Sequence, residues 1–131
     1  MTYEEIRQAI VGRMAAFSGL EQSRIAYPNH PGIFAPPDEG LWCRLSIQPG
    51  PAFMAGMADR PYTRKPGLIV VQCFARERTG IKPLTELADA LEVHFAYWRH
   101  GELECLEASH VDVGPADGFY QQNVRVAYRA G

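Results

Sequence analysis

The stretch Gly67-Leu-Ile-Val-Val-Gln-Cys-Phe-Ala75 is followed by the polar turn Arg76-Glu-Arg-Thr-Gly80 and then by a helical pattern from Ile81 to Trp98. No other part of the chain restricts the fold as much. Leu68 to Val71 is an unbroken apolar run, which is how a strand covered on both faces reads, so this strand belongs near the middle of a sheet. Leu84, Leu87, Ala88, Leu91, Phe95 and Trp98 recur at helical spacing, with Glu86, Asp89, Glu92 and Arg99 elsewhere. At about 1.5 Å per residue such a helix is roughly 27 Å long, enough to cross a sheet. Thr79 or Gly80 is the expected cap, Pro83 suits the first turn, and Gly101 is the expected end.

The remaining elements pack around this unit. Thr2 and Glu5 have capping-box spacing, and Ile6, Ala9, Ile10, Met14 and Phe17 form one apolar stripe, predicting a helix over 2–17 that Gly19 terminates. Arg7, Gln8 and Arg13 are expected to face water. A short strand fits 23–27. Leu41 to Ile47 alternates, with Leu41, Cys43, Leu45 and Ile47 on one face and Trp42 on the polar face with Arg44 and Ser46. An outward Trp42 either lies under a loop or belongs to an interface. Short strands are expected at 103–106 and 109–114, then turn chemistry at Pro115-Ala-Asp-Gly118 and a last strand over 119–128. The order is αβββαβββ: an α+β domain, one unit over 1–131, with a mixed, mostly antiparallel sheet and two helices packed on it.

Two segments do not belong to that scaffold. Pro28 to Gly40 is too rich in proline and glycine for regular structure, yet holds Ile33 and Phe34, which either fold back on the core or meet a partner. Gln48 to Pro66 lies between two convincing strands, and structureless loops beyond about 12–15 residues are uncommon. It carries Phe53, Met54 and Met57, then Arg60, Arg64 and Lys65. Two readings stand: a loop folded on its own domain, or an extended arm that orders on a neighbouring protein, methionine being an adaptable contact residue.

Chemistry is hard to find. His30, His94, His100 and His110 lack ligand spacing, and Cys43, Cys73 and Cys105 are about thirty residues apart without a CxxC pair, which suits reduced, partly buried thiols. No nucleophile motif or phosphate loop occurs, so no catalytic, cofactor-binding or metal-ligating residue is assigned and an enzyme is not expected. The net charge of −2 supplies no global field toward nucleic acid or membrane. No apolar run reaches the roughly 18 residues a membrane span needs. Arg60, Arg64, Lys65, Arg76 and Arg78 bracket both ends of the central strand; they are either solubilising groups or a contact for an acidic partner or nucleic-acid backbone, without sequence-specific recognition.

Gly67 to Ala75, the closing Thr79-Gly80, the helix segment Leu87-Ala-Asp-Ala-Leu91 and the stretch Val113-Gly-Pro-Ala-Asp-Gly-Phe-Tyr-Gln-Gln-Asn-Val124 together resemble the tail terminator proteins, minor tail proteins of long-tailed bacteriophages. The resemblance covers most of the chain and rests on order and spacing more than on any one motif. It implies a structural virion protein, assembled in the host cytoplasm. Such a protein forms a ring, usually a hexamer, on the head-proximal end of the tail tube. The implied partners are further copies of the chain, the major tail tube protein and a head-completion or neck protein, with the genome passing through the ring. It implies no cofactor. The Pro-rich character of 49–66 departs from the pattern. On this reading the contacts fall on Ile33, Phe34, Phe53, Met54, Met57, Arg60, Arg64, Lys65, Arg76 and Arg78. The alternatives are another neck or tail-completion protein of similar fold, or a small ligand-binding domain or enzyme.

Overall fold

A single long strand organises the computed structural model, which describes residues 1–54 and 63–131. That strand, β4 (Thr63–Arg76), pairs antiparallel with β2 (Trp42–Pro49) on one side and β7 (Phe119–Ala130) on the other. Beyond β2 lies β1 (Ile25–Ala26), paired parallel; beyond β7 lie β6 (Leu103–Ala116) and β5 (Arg99–His100), both antiparallel. The order across the sheet is β1-β2-β4-β7-β6-β5, and β3 (Phe53–Met54) pairs with the first residues of β4. Two helices, α1 (Tyr3–Ala15) and α2 (Lys82–Phe95), complete an α+β fold with a mixed, mostly antiparallel sheet.

Strand alternation decides where the core lies. Cys43 and Leu45 of β2, Ile69, Val71 and Cys73 of β4, and Val124 and Val126 of β7 point to one face. There they meet Ile6, Ile10 and Met14 of α1 and Leu84, Leu91 and Phe95 of α2. Each large side chain buried this way contributes about 1.5–3 kcal/mol. Leu68 and Val70 point to the other face, which no helix covers among the described residues; Val70 is nonetheless buried and Leu68 half-buried. Gln122 is the one buried polar side chain among the described residues, and it exchanges hydrogen bonds with Thr85 of α2 at 3.3 and 3.4 Å.

Close approach of backbone to ring explains Gly67. It sits opposite Tyr128 in the β4–β7 register, and a Cβ there would lie 2.3 Å from the Tyr128 ring. The missing side chain lets Tyr128 lie across the strand.

Several sequence expectations are corrected. The capping box forms, with the Glu5 amide donating to Thr2 Oγ1 at 3.1 Å and the Thr2 amide to Glu5 Oε1 at 2.9 Å, but α1 ends at Ala15, before Phe17. Arg13 does not face water: it donates two hydrogen bonds, of 3.0 and 2.6 Å, to the His94 carbonyl and lies over the Trp98 ring. The cap of α2 is Ile81, without a side-chain bond; the Thr79 hydroxyl donates instead to the Arg76 carbonyl. The helix ends at Phe95, three residues short of Trp98. Tyr97 turns into the left-handed region at φ 61°, its amide donates to Leu106, and the Trp98 carbonyl accepts from Cys105. Pairing with β6 thus takes the chain out of the helix before Gly101. The strands expected at 103–106 and 109–114 are one strand, β6, whose register shifts between Cys105 and Ala108 at an irregularity that breaks the alternation.

The two helices are joined reciprocally. While Arg13 donates to the His94 carbonyl, the His94 ring Nε2–H donates to the Arg13 carbonyl at 2.6 Å, which requires the Nε2-protonated ring. Burial pushes the His94 pKa down, the hydrogen bond to Arg13 opposes that, and the Arg13 charge adds to the depression.

Two predictions follow from these contacts. Gly67→Ala lowers stability by about 1–3 kcal/mol, the usual cost of overpacking, read as a lower urea midpoint at unchanged slope; Tyr128→Leu added to it recovers part of the loss. The depressed His94 pKa means that the unfolded chain takes up a proton near pH 6.5 that the folded chain refuses. Its contribution to stability is present above about pH 6.5 and declines as the pH falls toward the folded value. His94→Gln, which keeps a donor without titrating, shows a smaller loss between about pH 7 and pH 5.5.

Candidate assembly surface

The three thiols are locked in the core. Cys43, Cys73 and Cys105 are free thiols, all buried. Burial pushes Cys43 up to about 12 and Cys105 up to about 11, and Cys73 higher still, so all three stay protonated at neutral pH. Among the described residues no group of three or more His, Cys, Asp or Glu could hold a metal ion, and no helix is long and apolar enough to cross a membrane. Two broad grooves are open to solvent. One of about 480 Å³ runs along α1 past Arg13, Trp98 and His100, and one of about 560 Å³ runs beside the loop after β1, past Tyr27, His30, Phe34 and Arg44.

That loop, residues 28–40, is braced at its base. Arg24 donates to the Glu39 carbonyl at 2.8 Å and the Leu41 carbonyl at 3.2 Å. Arg76, at the end of β4, donates to the Pro37 carbonyl at 2.9 Å and the Asp38 carbonyl at 3.1 Å, and its guanidinium lies 4.4 Å over the Phe119 ring. Phe34 folds back onto Trp42 at 5.4 Å. Trp42, 3% exposed, stacks on Phe74 at 4.1 Å and meets Phe119 edge-on at 5.5 Å. The polar face of β2 therefore ends in a small aromatic core under the loop, and of the two openings left for Trp42 the loop is the one taken. The neighbouring Ile33 points away and is 99% exposed.

The second segment leaves the sheet as a hairpin arm. The Gly50 amide donates to the Pro66 carbonyl at 2.9 Å, and Phe53 and Met54 pair with Arg64 and Thr63. Phe53 is 52% and Met54 59% exposed. Lys65, at the root of the arm, donates to the Met1 carbonyl at 2.7 Å and sits 4.8 Å over the Tyr3 ring. Arg64 is half-buried on the returning limb. Met57 and Arg60 lie outside the described residues. Arg78 is exposed in the turn after β4, with φ 64°.

The ten residues singled out from the sequence thus separate. Ile33, Phe53, Met54 and Arg78 are presented outward, whereas Phe34, Lys65 and Arg76 hold parts of the molecule together. The sequence reading assigned no contact to the outer edge of β6, the carboxylates Glu102, Glu104 and Glu107 reading as solvation and protection of a strand edge. β5 covers only Leu103 and Glu104, and the backbone of 97–98 covers Cys105 and Leu106. From Glu107 to Ala116 that edge has no backbone partner among the described residues, and Val111 and Val113 are 39% and 50% exposed. Val111 and Val113 at alternate positions marked a strand, and alternation does not separate an edge strand from a central one.

No family model matches the chain, and no curated protein matches it in sequence. Solved structures do match: one covers 100% of this chain and 96% of its own with a TM-score of 0.74 at 19% identity. At that identity the likeness shows the fold alone, over all of this chain and nearly all of the other.

The bracing of the loop is testable. Arg76→Ala releases Pro37 and Asp38, so proteolysis within 28–40 speeds up and Trp42 fluorescence shifts toward that of a solvated indole. Arg78→Ala changes neither.

Proposed function

We propose that this protein is a ring-forming tail terminator, a structural subunit that caps the head-proximal end of a phage tail tube and offers a surface to a head-completion protein. The observation that carries this reading is where the unsatisfied groups lie. The inner faces of the helices and the sheet face beneath them are closed, with Ile10, Met14, Leu84, Leu91 and Phe95 fully buried. Apart from Tyr3, Ile81, Val93 and Tyr97 on or beside the helices, the large apolar side chains exposed among the described residues are on the loop tip at Ile33, on the arm at Phe53 and Met54, and on the β6 edge at Val111 and Val113, where the backbone is also unpaired. A subunit that stops polymerisation needs separate contacts for its own neighbours, for the tube and for the neck, and such contacts differ from one another. The resemblance of 67–75, 79–80, 87–91 and 113–124 to tail terminators supports the same role, and the virion tail is then the site of action. The ring's partners are further copies of the chain, the major tail tube protein and the neck protein.

The experiment is tube-length control. Purified protein added to polymerising tail tube protein gives short tubes with one end capped in electron micrographs, and particles made without it carry over-long, headless tails. Normal tails that fail to join heads would assign the protein to the neck, and tubes of unchanged length would remove the tail reading. Ile33→Asp leaves the unfolding free energy from urea titration within about 0.5 kcal/mol, as surface changes do, while weakening capping or head joining.

A further inference from the structure

A strand edge with free N–H and C=O groups is a template for another strand, and proteins blunt such edges with lysine, proline, bulges or charge. The β6 edge has its register shifts and Pro115, but no cation: from Gly101 to Val124 the chain holds Glu102, Glu104, Glu107, Asp112 and Asp117 and no Lys or Arg. Glu104 is neutralised by Arg99 at 2.9 Å and Arg129 at 3.2 Å, and Glu102 by the N-terminus at 3.3 Å. Glu107, Asp112 and Asp117 form no ion pair among the described residues, although Asp112 accepts from the Tyr120 hydroxyl at 2.8 Å. The free half of the edge is therefore acidic, with Val111 and Val113 exposed among the carboxylates. Two such edges pairing with each other would bring like charges together, which is destabilising.

The opposite chemistry is carried by the arm. Gly50 to Met54 and Thr63 to Pro66 contain Arg64 and Lys65 and no carboxylate, with Phe53 and Met54 more than half exposed. β3 pairs only with β4, so its other edge faces no strand among the described residues. The arm does not fit its own β6 edge. It leaves the sheet at the end where Lys65, Ala130 and Leu103 are aligned, whereas the free half of β6 runs toward the other end, where Arg76, Phe119 and Ala116 are aligned.

We infer that the β3–β4 arm of one copy adds to the β6 edge of a second copy, continuing the sheet from subunit to subunit through a basic, apolar hairpin laid on an acidic, apolar edge. The inference rests on the ring reading and supplies its neighbour contact. Arm and edge are different surfaces, so the contact is heterologous, the kind that closes rings.

Two conservative single variants test it, Met54→Cys on the arm and Ser109→Cys on the edge, both at exposed positions. The native cysteines are at most 1% exposed, so the parent chain is the control for a flexible bismaleimide cross-linker. At millimolar protein, the mixture of the two variants gives several-fold more covalent dimer than either alone, and added salt lowers the yield, since exposed charges are screened beyond about 10 Å at 0.1 M. Equal dimer from Ser109→Cys alone would mean that the edge pairs with itself, and from Met54→Cys alone that arms pair. Either result, or a mixture no better than the parent chain, overturns the inference. A mixed cross-link with no effect on tube length would keep this contact and remove the tail reading; capped tubes without the mixed cross-link would do the reverse.

Discussion

The fold depends on β4 being longer than the core needs. Its 14 residues pair with β2 over eight positions and with β7 over twelve. Ile69, Val71, Cys73 and Ala75 place its buried face under the helices, all at 3% exposure or less. That face alone requires the strand from Ile69 to Ala75. The surplus lies at the two ends, where Thr63 and Arg64 carry the arm and Arg76 anchors the loop after β1. The central strand is both the floor of the core and the support for two segments outside it.

The two ends differ physically. At the Arg76 end, cation and carbonyl groups hold a proline-rich loop against the aromatic side chains of Trp42, Phe74 and Phe119. Proline lowers the conformational freedom such a loop must surrender, and two arginines satisfy carbonyls that have no strand to pair with. Ile33 is then presented from a base held at four carbonyl contacts. At the other end Lys65 secures the N-terminal residue by its carbonyl, so chain start and arm root share one cation. Charge reversal at Lys65 acts on that junction as well as on any neighbour, whereas the exposed Phe53 and Met54 report on contacts alone.

Much of this was legible in the sequence. The run from Gly67 to Ala75, the Thr2–Glu5 box and the stripe from Leu84 to Phe95 are local patterns, and local patterns set these elements. What was not legible was decided at long range. Alternation put Trp42 opposite Cys43 and Leu45 correctly, but could not say that Phe34, Phe74 and Phe119 would cover it. Arg13 reads as solvated until the end of α2 arrives beside it with a free carbonyl. Tyr97 leaves the helix because Leu106 accepts its amide, a partner that periodicity does not contain. Arg76 and Lys65 read as surface charge for the same reason: the carbonyls they bond belong to segments far away in the chain.

The same distinction bears on the candidate assembly surface. Hydrophobicity marks Ile33, Phe53 and Met54 in the sequence, because an apolar residue inside a proline-rich stretch has no local use. A strand edge leaves no such mark, since its free groups belong to the backbone and every residue has them. It becomes visible only when the sheet order places β6 outermost and β5 stops after two residues. Composition then gives the edge its sign: carboxylates without cations from Gly101 to Val124, against Arg64 and Lys65 at the root of the arm. A sheet acidic along one border, with a basic hairpin leaving it from the opposite end, carries opposite signs at two different places on one subunit. An isologous pairing of either surface joins like to like, and the repulsion falls on both copies. A heterologous pairing joins opposite signs and leaves one copy with an unused edge and the other with an unused arm, and a closed ring is the finite assembly that satisfies them all.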